Sequence, residues 1–188
     1  MGLLNAKQSK PLEGGPSYSF LHRLERAVWG IAWTIFARWT PPPFHRWRVA
    51  LLNIFGANIH PSARVYGSAK IWYPKNLIVR KHATIGPRVN VYCMDQIEIG
   101  EYSVISQGAS LCTGTHDISS PDFQLLTNPI WIGSRVWIAA DAFIGPNVNI
   151  GDGAVIGARA VQFKNAESFG VYIGNPAYRI KTRKLRDA

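Results

Sequence analysis

IGSRVW-IAADAF-IGPNVN-IGDGAV-IGARAV, running from Ile132 to Val161, consists of six-residue units that each open on isoleucine. The same rhythm runs upstream. IHPSAR, VYGSAK and IWYPKNLI begin at Ile59, Val65 and Ile71; VRKHAT, IGPRVN and VYCMDQIE at Val79, Ile85 and Val91; IGEYSV, ISQGAS and LCTGTH at Ile99, Ile105 and Leu111. A unit this short buries its aliphatic residue only by stacking on the unit above, so the repeat outranks any local secondary-structure reading. Three units make one triangular turn of a parallel β-helix. In the first two turns the third unit carries two extra residues, so equivalent positions recur every twenty (Ile59, Val79, Ile99). At a strand spacing of about 4.8 Å, five turns stack into a prism roughly 25 Å tall. Ala63, Ala69, Ala83, Ala109, Ala142, Ala154 and Ala160 suit a narrow interior. Gly86, Gly100, Gly133, Gly145, Gly151 and Gly157 suit corners that need room or a positive φ. A β-sandwich would instead show period-two alternation along longer strands.

Outward from the prism the chain divides into three parts. Residues 1–19 lack periodicity and read as a flexible leader without the order of a signal peptide. Residues 20–58 hold two helices separated by Pro41, Pro42 and Pro43. Residues 59–188 form the β-helix domain, with a loop at 113–129 and a cap at 162–188 made of a strand, the GNPA turn and a basic helix or tail. AVWGIAWTIFARW (Ala27–Trp39) is apolar on nearly every side but too short to span a bilayer, which takes about 20 residues. In FHRWRVALLNIF the residues Phe44, Trp47, Leu51 and Phe55 fall on one helical face, with His45, Arg46 and Arg48 elsewhere. Two roles fit residues 27–55: covering the open first turn, or lying on the cytoplasmic leaflet of a membrane.

The net charge of +10 suits anionic ligands, and the tail adds Arg179, Lys181, Arg183, Lys184 and Arg186. No nucleic-acid-binding module accompanies the charge, so no nucleic acid partner is expected and cofactor phosphates are the simpler anions. Two cysteines, Cys93 and Cys112, make no disulfide framework, and a reduced, cytoplasmic setting is the expectation.

The repeat breaks at TGTHDISSPDFQLLTNP, Thr113 to Pro129. A long excursion from a rigid scaffold is where chemistry is usually mounted, and His116 stands at its base. His22, His45, His60 and His82 have no such placement.

NVYCMDQIEIGEYSVISQGASLCTGTHD (90–117), PIWIGSRVWIAADAFIGPNVNIGDGAVIGARAV (129–161) and GNPAYRIK (174–181) together resemble the hexapeptide-repeat acyltransferases. They are most similar to the colanic-acid-type and the galactoside, maltose and nodulation-type O-acetyltransferases. The resemblance implies a left-handed β-helix, a homotrimer, acetyl-CoA as co-substrate with no metal, and acetyl transfer to a hydroxyl of a sugar or glycoconjugate acceptor, lipid-linked acceptors included. It places His116 on the family's catalytic histidine, acting as general base in a ternary complex, and the amide of Ala140 as an oxyanion donor from the adjacent subunit. Asp117 is a candidate orienter of the imidazole. Asn90 and Asp95 match acceptor-contacting positions. Trp137, Ala140, Ala158 and Lys164 match positions along the CoA groove, and Lys181 and Arg183 offer charge to the cofactor's phosphates. One segment departs from the family: Gln162-Phe163-Lys164-Asn165-Ala166-Glu167 keeps the lysine but lacks the usual threonine and proline pair, which bears on the shape of that groove. Two other classes stay open, a noncatalytic scaffold or adaptor and a γ-carbonic-anhydrase-like metal enzyme, the latter needing three convergent histidines. A covalent route through Cys112 has nothing else in the sequence to mark an activated thiolate.

Overall fold

The aliphatic residue that opens each unit points inward in every turn, and the chain coils around that column. The computed structural model describes residues 3–185. Face one of the prism stacks Asn58–Ile59, Leu77–Val79, Ile97–Ile99, Ile130–Ile132 and Asn149–Ile150 as parallel strands. Face two stacks Arg64–Val65, Thr84–Ile85, Val104–Ile105, Trp137–Ile138, Val155–Ile156 and Gly170–Ile173. Face three stacks Lys70–Ile71, Asn90–Tyr92, Ser110–Cys112, Phe143–Ile144 and Val161–Gln162. Register runs Ile59↔Val79↔Ile99, the expected step of twenty. The seven interior alanines are all buried, as their size predicts.

Five complete turns are followed by part of a sixth, one more than the repeat predicts. Ala166 bridges to Ile150 on face one, and Gly170–Ile173 pairs with Val155–Ile156 on face two. The extra layer escapes the pattern because Gln162 occupies an aliphatic position; it is buried, with Nε2 donating to the Lys164 carbonyl at 2.6 Å. The basic end is a strand and not a helix. Tyr178–Thr182 returns antiparallel to Gly170–Ile173 after the Gly174–Ala177 turn, and Arg186 lies outside the described residues.

The corner glycines owe their place to close approach, not to φ. A Cβ on Gly100 would lie 2.4 Å from the Gly133 carbonyl carbon in the next turn, and one on Gly151 would lie 2.5 Å from the Ser168 nitrogen. The left-handed residue comes later in the corner and is usually not glycine: His82, Arg88, Tyr102, Arg135, Asp141, Asn147 and Arg159 all have φ between 56 and 60°.

Below the prism lie α2 (Phe20–Phe36) and α3 (His45–Ile54), whereas α1 (Ala6–Ser9) lies beside Gln124. The first turn would otherwise leave unpaired backbone at an open sheet edge. Each face is closed from the helices, face two by both Arg48 and His45, whose Nδ1 lies 3.0 Å from the Val65 carbonyl. Asn53 Nδ2 donates to the Ile59 carbonyl at 2.8 Å while its Oδ1 accepts from Ile59 N at 2.9 Å. Arg48 Nε donates to the Val65 carbonyl at 2.6 Å, and Trp29 Nε1 to the Ile71 carbonyl at 2.7 Å. The covering role expected of residues 27–55 is therefore present, though the buried face of α3 differs from the sequence expectation. Arg48 is fully buried beside Val49 and Leu52, whereas Phe44 and Trp47 are half exposed. Arg48 can face inward because its guanidinium reaches the Thr40, Pro41 and Pro42 carbonyls and the Thr40 hydroxyl.

The segment expected to be a flexible leader is folded against the prism. Leu3 bridges to Tyr18, and α1 docks by its Ala6 N–H onto Gln124 Oε1 at 2.7 Å. Among the described residues no helix is long and apolar enough to cross a membrane.

Candidate active site

The chain leaves face three after Cys112 and returns to face one at Ile130, projecting a β-hairpin in which Gly114–His116 pairs antiparallel with Leu125–Thr127. Its base is pinned by Thr113, which is fully buried. Thr113 Oγ1 donates to the Tyr92 carbonyl at 3.0 Å and accepts from Asp95 N at 2.9 Å. Asp95 fastens the other strand, its Oδ2 accepting from Thr127 Oγ1 at 3.2 Å and its Oδ1 from Gln96 N at 2.7 Å. Asp95 therefore holds the hairpin that carries His116, a role its sequence position did not reveal.

His116 is solvent-exposed, and its Nδ1 lies 2.7 Å from the Phe123 carbonyl. A carbonyl can only accept, so Nδ1 carries the proton in the neutral ring and Nε2 is left with its lone pair outward. The orienting partner is thus a backbone oxygen and not Asp117. Asp117 Oδ1 accepts from Ser119 N at 2.9 Å, a local turn contact that keeps its carboxylate away from that task. Phe123 stands in the left-handed region at φ 45°, and the next residue, Gln124, is the one α1 grips. Underneath, Leu125 packs with Tyr18 and Met94 in a small buried cluster. Phe123, Gln124, Thr113 and Tyr18 all position the imidazole. They carry no motif, because a backbone carbonyl, an apolar prop and single polar contacts that do not repeat leave no pattern in the sequence.

The remaining sequence candidates lie on other edges. Asn90 points outward on face three, its Nδ2 donating to Ser110 Oγ at 3.2 Å. Trp137 is half exposed on face two, with Nε1 donating to Ser106 Oγ at 2.9 Å. Ala140 and Ala158 occupy equivalent corners between faces two and three in successive turns; the Ala140 carbonyl accepts from Arg159 N, and its own N–H has no acceptor among the described residues. Prolines at the equivalent unit positions, Pro61, Pro87 and Pro146, show that the stack needs no N–H there. Lys164 is exposed between faces three and one of the fifth turn, and Lys181 is exposed on the last strand. Arg183 Nη1 donates at 3.0 Å to the carbonyls of Arg135 and Gly153, fastening the cap to the prism. His116 rises from one edge of face three and Ala140 lies on the opposite edge, a prism side apart, on the order of 15 Å. One chain does not bring them together.

Burial also sets the ionisation of the site's neighbours. The Tyr18 phenol is pushed up to about 12 by burial, reinforced by Tyr92 and Asp95, and so stays neutral. Burial raises the Cys93 thiol to about 11, marking it as structural. Cys112 donates only to the Gly114 carbonyl, at 3.4 Å. Among the described residues no three His, Cys, Asp or Glu side chains gather where a metal ion would be held.

A family profile described as Bacterial transferase hexapeptide (six repeats) matches residues 129–161. A protein of Escherichia coli K12 assigned as the colanic acid biosynthesis acetyltransferase WcaF is 45% identical over 155 residues, covering 82% of this chain and 85% of its own. The chain belongs to the hexapeptide-repeat acetyltransferases. Among solved structures, a maltose O-acetyltransferase from Clostridium difficile 630 superposes with a TM-score of 0.78 at 25% identity, covering 89% of this chain and 90% of its own. A hexapeptide-repeat acetyltransferase from Vibrio cholerae, complexed with acetyl coenzyme A, gives 0.77 at 22% identity over 89% of this chain and 91% of its own, a likeness of fold. The acetyltransferase is accordingly a left-handed parallel β-helix with its helices beneath and its hairpin on one edge.

Proposed function

We propose that this acetyltransferase moves the acetyl group of acetyl-CoA onto a hydroxyl of a sugar in an exopolysaccharide or other glycoconjugate precursor, with His116 as general base. The observation that carries this reading is the 2.7 Å contact between His116 Nδ1 and the Phe123 carbonyl, which presents Nε2 as a free acceptor on an exposed edge. In a ternary complex the sugar oxygen attacks the thioester carbonyl carbon as its proton passes to Nε2. A C–O bond forms and the carbonyl oxygen gains charge, which the Ala140 N–H of a neighbouring copy stabilises. Collapse breaks the C–S bond, and the imidazolium returns the proton to the departing thiolate. Because His116 and Ala140 lie on different edges, the working unit is a closed homotrimer in which each site joins two copies. Asn90 binds the acceptor near the hairpin. Trp137 and Ala158 line the cofactor groove, with Lys181 and Arg183 beside it, and Lys164, on the His116 edge of face three, comes to it from the adjacent copy. The reaction belongs on the cytoplasmic side, where acetyl-CoA is made. The outer face of α2, where Leu24, Val28, Ile31 and Ile35 are exposed, suits peripheral contact with the membrane on which lipid-linked acceptors reside.

The test is thiol release from acetyl-CoA in the presence of sugars, nucleotide sugars and lipid-linked oligosaccharides, followed by mass spectrometry of the acceptor. An acceptor heavier by one acetyl ester is expected. Thiol release that never depends on a sugar would overturn the assignment.

A further inference from the structure

Between α2 and face three lies an open cleft of about 590 Å³, of whose lining the proposed chemistry uses Asn90 alone. Its wall carries Arg23, Arg26, Arg38 and Lys70, and no carboxylate. None of the four makes an ion pair among the described residues; the carboxylate nearby on the helix, Glu25, is taken by Lys75 and Tyr73. Arg26 is held with its guanidinium 4.3 Å over the Trp72 ring, and its Nε is buried without a hydrogen-bond partner. These cations face no compensating carboxylate in the cleft, and a buried guanidinium nitrogen without an acceptor is costly. A phosphate supplies the missing negative charge, and arginine forks match its oxygens in geometry.

We propose that this cleft binds the diphosphate of a diphosphate-activated acceptor sugar. The floor of the cleft leads towards the histidine. Lys70, Asn90 and Ser110 are register partners facing outward on successive turns of face three, and Ser110 begins the strand from which the hairpin departs. Two steps of the stack cover on the order of 10 Å. That is the length of a hexose whose anomeric carbon carries a diphosphate, so phosphates at Arg26 and Lys70 set the sugar ring against Asn90 with its hydroxyls towards His116. Tyr92, which meets Trp72 edge-on with ring centroids 5.6 Å apart, flanks the path. The inference rests on the acetyl-transfer reading for the direction of the sugar, but not for the phosphate site itself.

Calorimetry with inorganic pyrophosphate on the full chain tests the site without any acetyl transfer. Binding that weakens with salt, and that falls about tenfold or more in the double variant Arg26→Gln/Lys70→Gln, is expected. Neither residue belongs to the buried core, so the fold is kept, and Arg46→Gln, on α3 outside the cleft, serves as the charge control with unchanged affinity. A soluble nucleoside diphosphate hexose and a polyprenyl diphosphate hexose in detergent micelles then separate the two sources of the same group: the one whose affinity drops in the double variant is the acceptor class. Pyrophosphate affinity equal in wild type and double variant, or a double variant that loses acetyl-CoA instead, would overturn the proposal. Pyrophosphate binding without sugar-dependent acetyl transfer would leave the site standing and remove the function assigned above.

Discussion

A single backbone oxygen gives His116 its character. With the Phe123 carbonyl on Nδ1 the ring cannot offer the wrong nitrogen, and no side-chain substitution at Phe123 removes that oxygen directly. Replacing Asp117 with Asn should therefore leave acetyl transfer within about threefold of wild type, since its carboxylate serves Ser119. A drop of a hundredfold in steady-state turnover would return the orienting role to Asp117. At the opposite end of the molecule Arg48 is buried entirely, its guanidinium spent on backbone carbonyls and the Thr40 hydroxyl. Arg48→Met should cost about 3 kcal/mol or more in chemical denaturation. A loss under about 1 kcal/mol would mean those carbonyls find water instead. His22 and His45 both have pKa values lowered from the ordinary 6.5, first by burial, with Arg26 and Arg48 adding to it. The folded state thus binds fewer protons than the unfolded chain. Stability is full above the ordinary imidazole value and declines as pH falls through it, so the melting temperature should drop between about pH 7 and about pH 5. A flat profile across that window would contradict the burial assigned to these rings.

Among the elements, the helices do for the β-helix what the next turn does elsewhere. Trp29, Arg48 and Asn53 each close one face of the first turn, so removal of residues 1–55 should leave an aggregating chain and not a folded prism. Recovery of a soluble, cooperatively melting fragment would refute this. The prism was legible in the sequence because its rule is strict: one aliphatic residue per unit, with no room for alternatives. The face of α3 was not, since a buried arginine satisfied by carbonyls has the sequence signature of a surface one. The N-terminal arm was misread for a similar reason. Its contacts are a bridge from Leu3 and one amide to Gln124, neither of which repeats. The sixth layer stayed hidden behind Gln162, a polar residue at an apolar position.

Taken as a whole, the molecule is a rigid column that carries its chemistry on edges, and those edges decide how it must work. His116 was found through resemblance, Ala140 likewise; what the fold adds is that they stand a prism side apart in one chain. Replacing Ala140 with proline removes the N–H without disturbing the corner, as Pro87 and Pro146 already occupy equivalent places. His116→Ala removes the proton acceptor while leaving the stacked core untouched, and should lower acetyl transfer by about a hundredfold to ten-thousandfold with acetyl-CoA affinity and melting temperature unchanged. The decisive measurement mixes these two variants in equal amounts under conditions that exchange subunits, and reads acetyl transfer. Each alone should be nearly inactive, and random reassembly should restore about one site in four, because an intact His116 then meets an intact Ala140 N–H across the interface. A mixture no more active than its components would contradict a site built from His116 of one copy and Ala140 of the next.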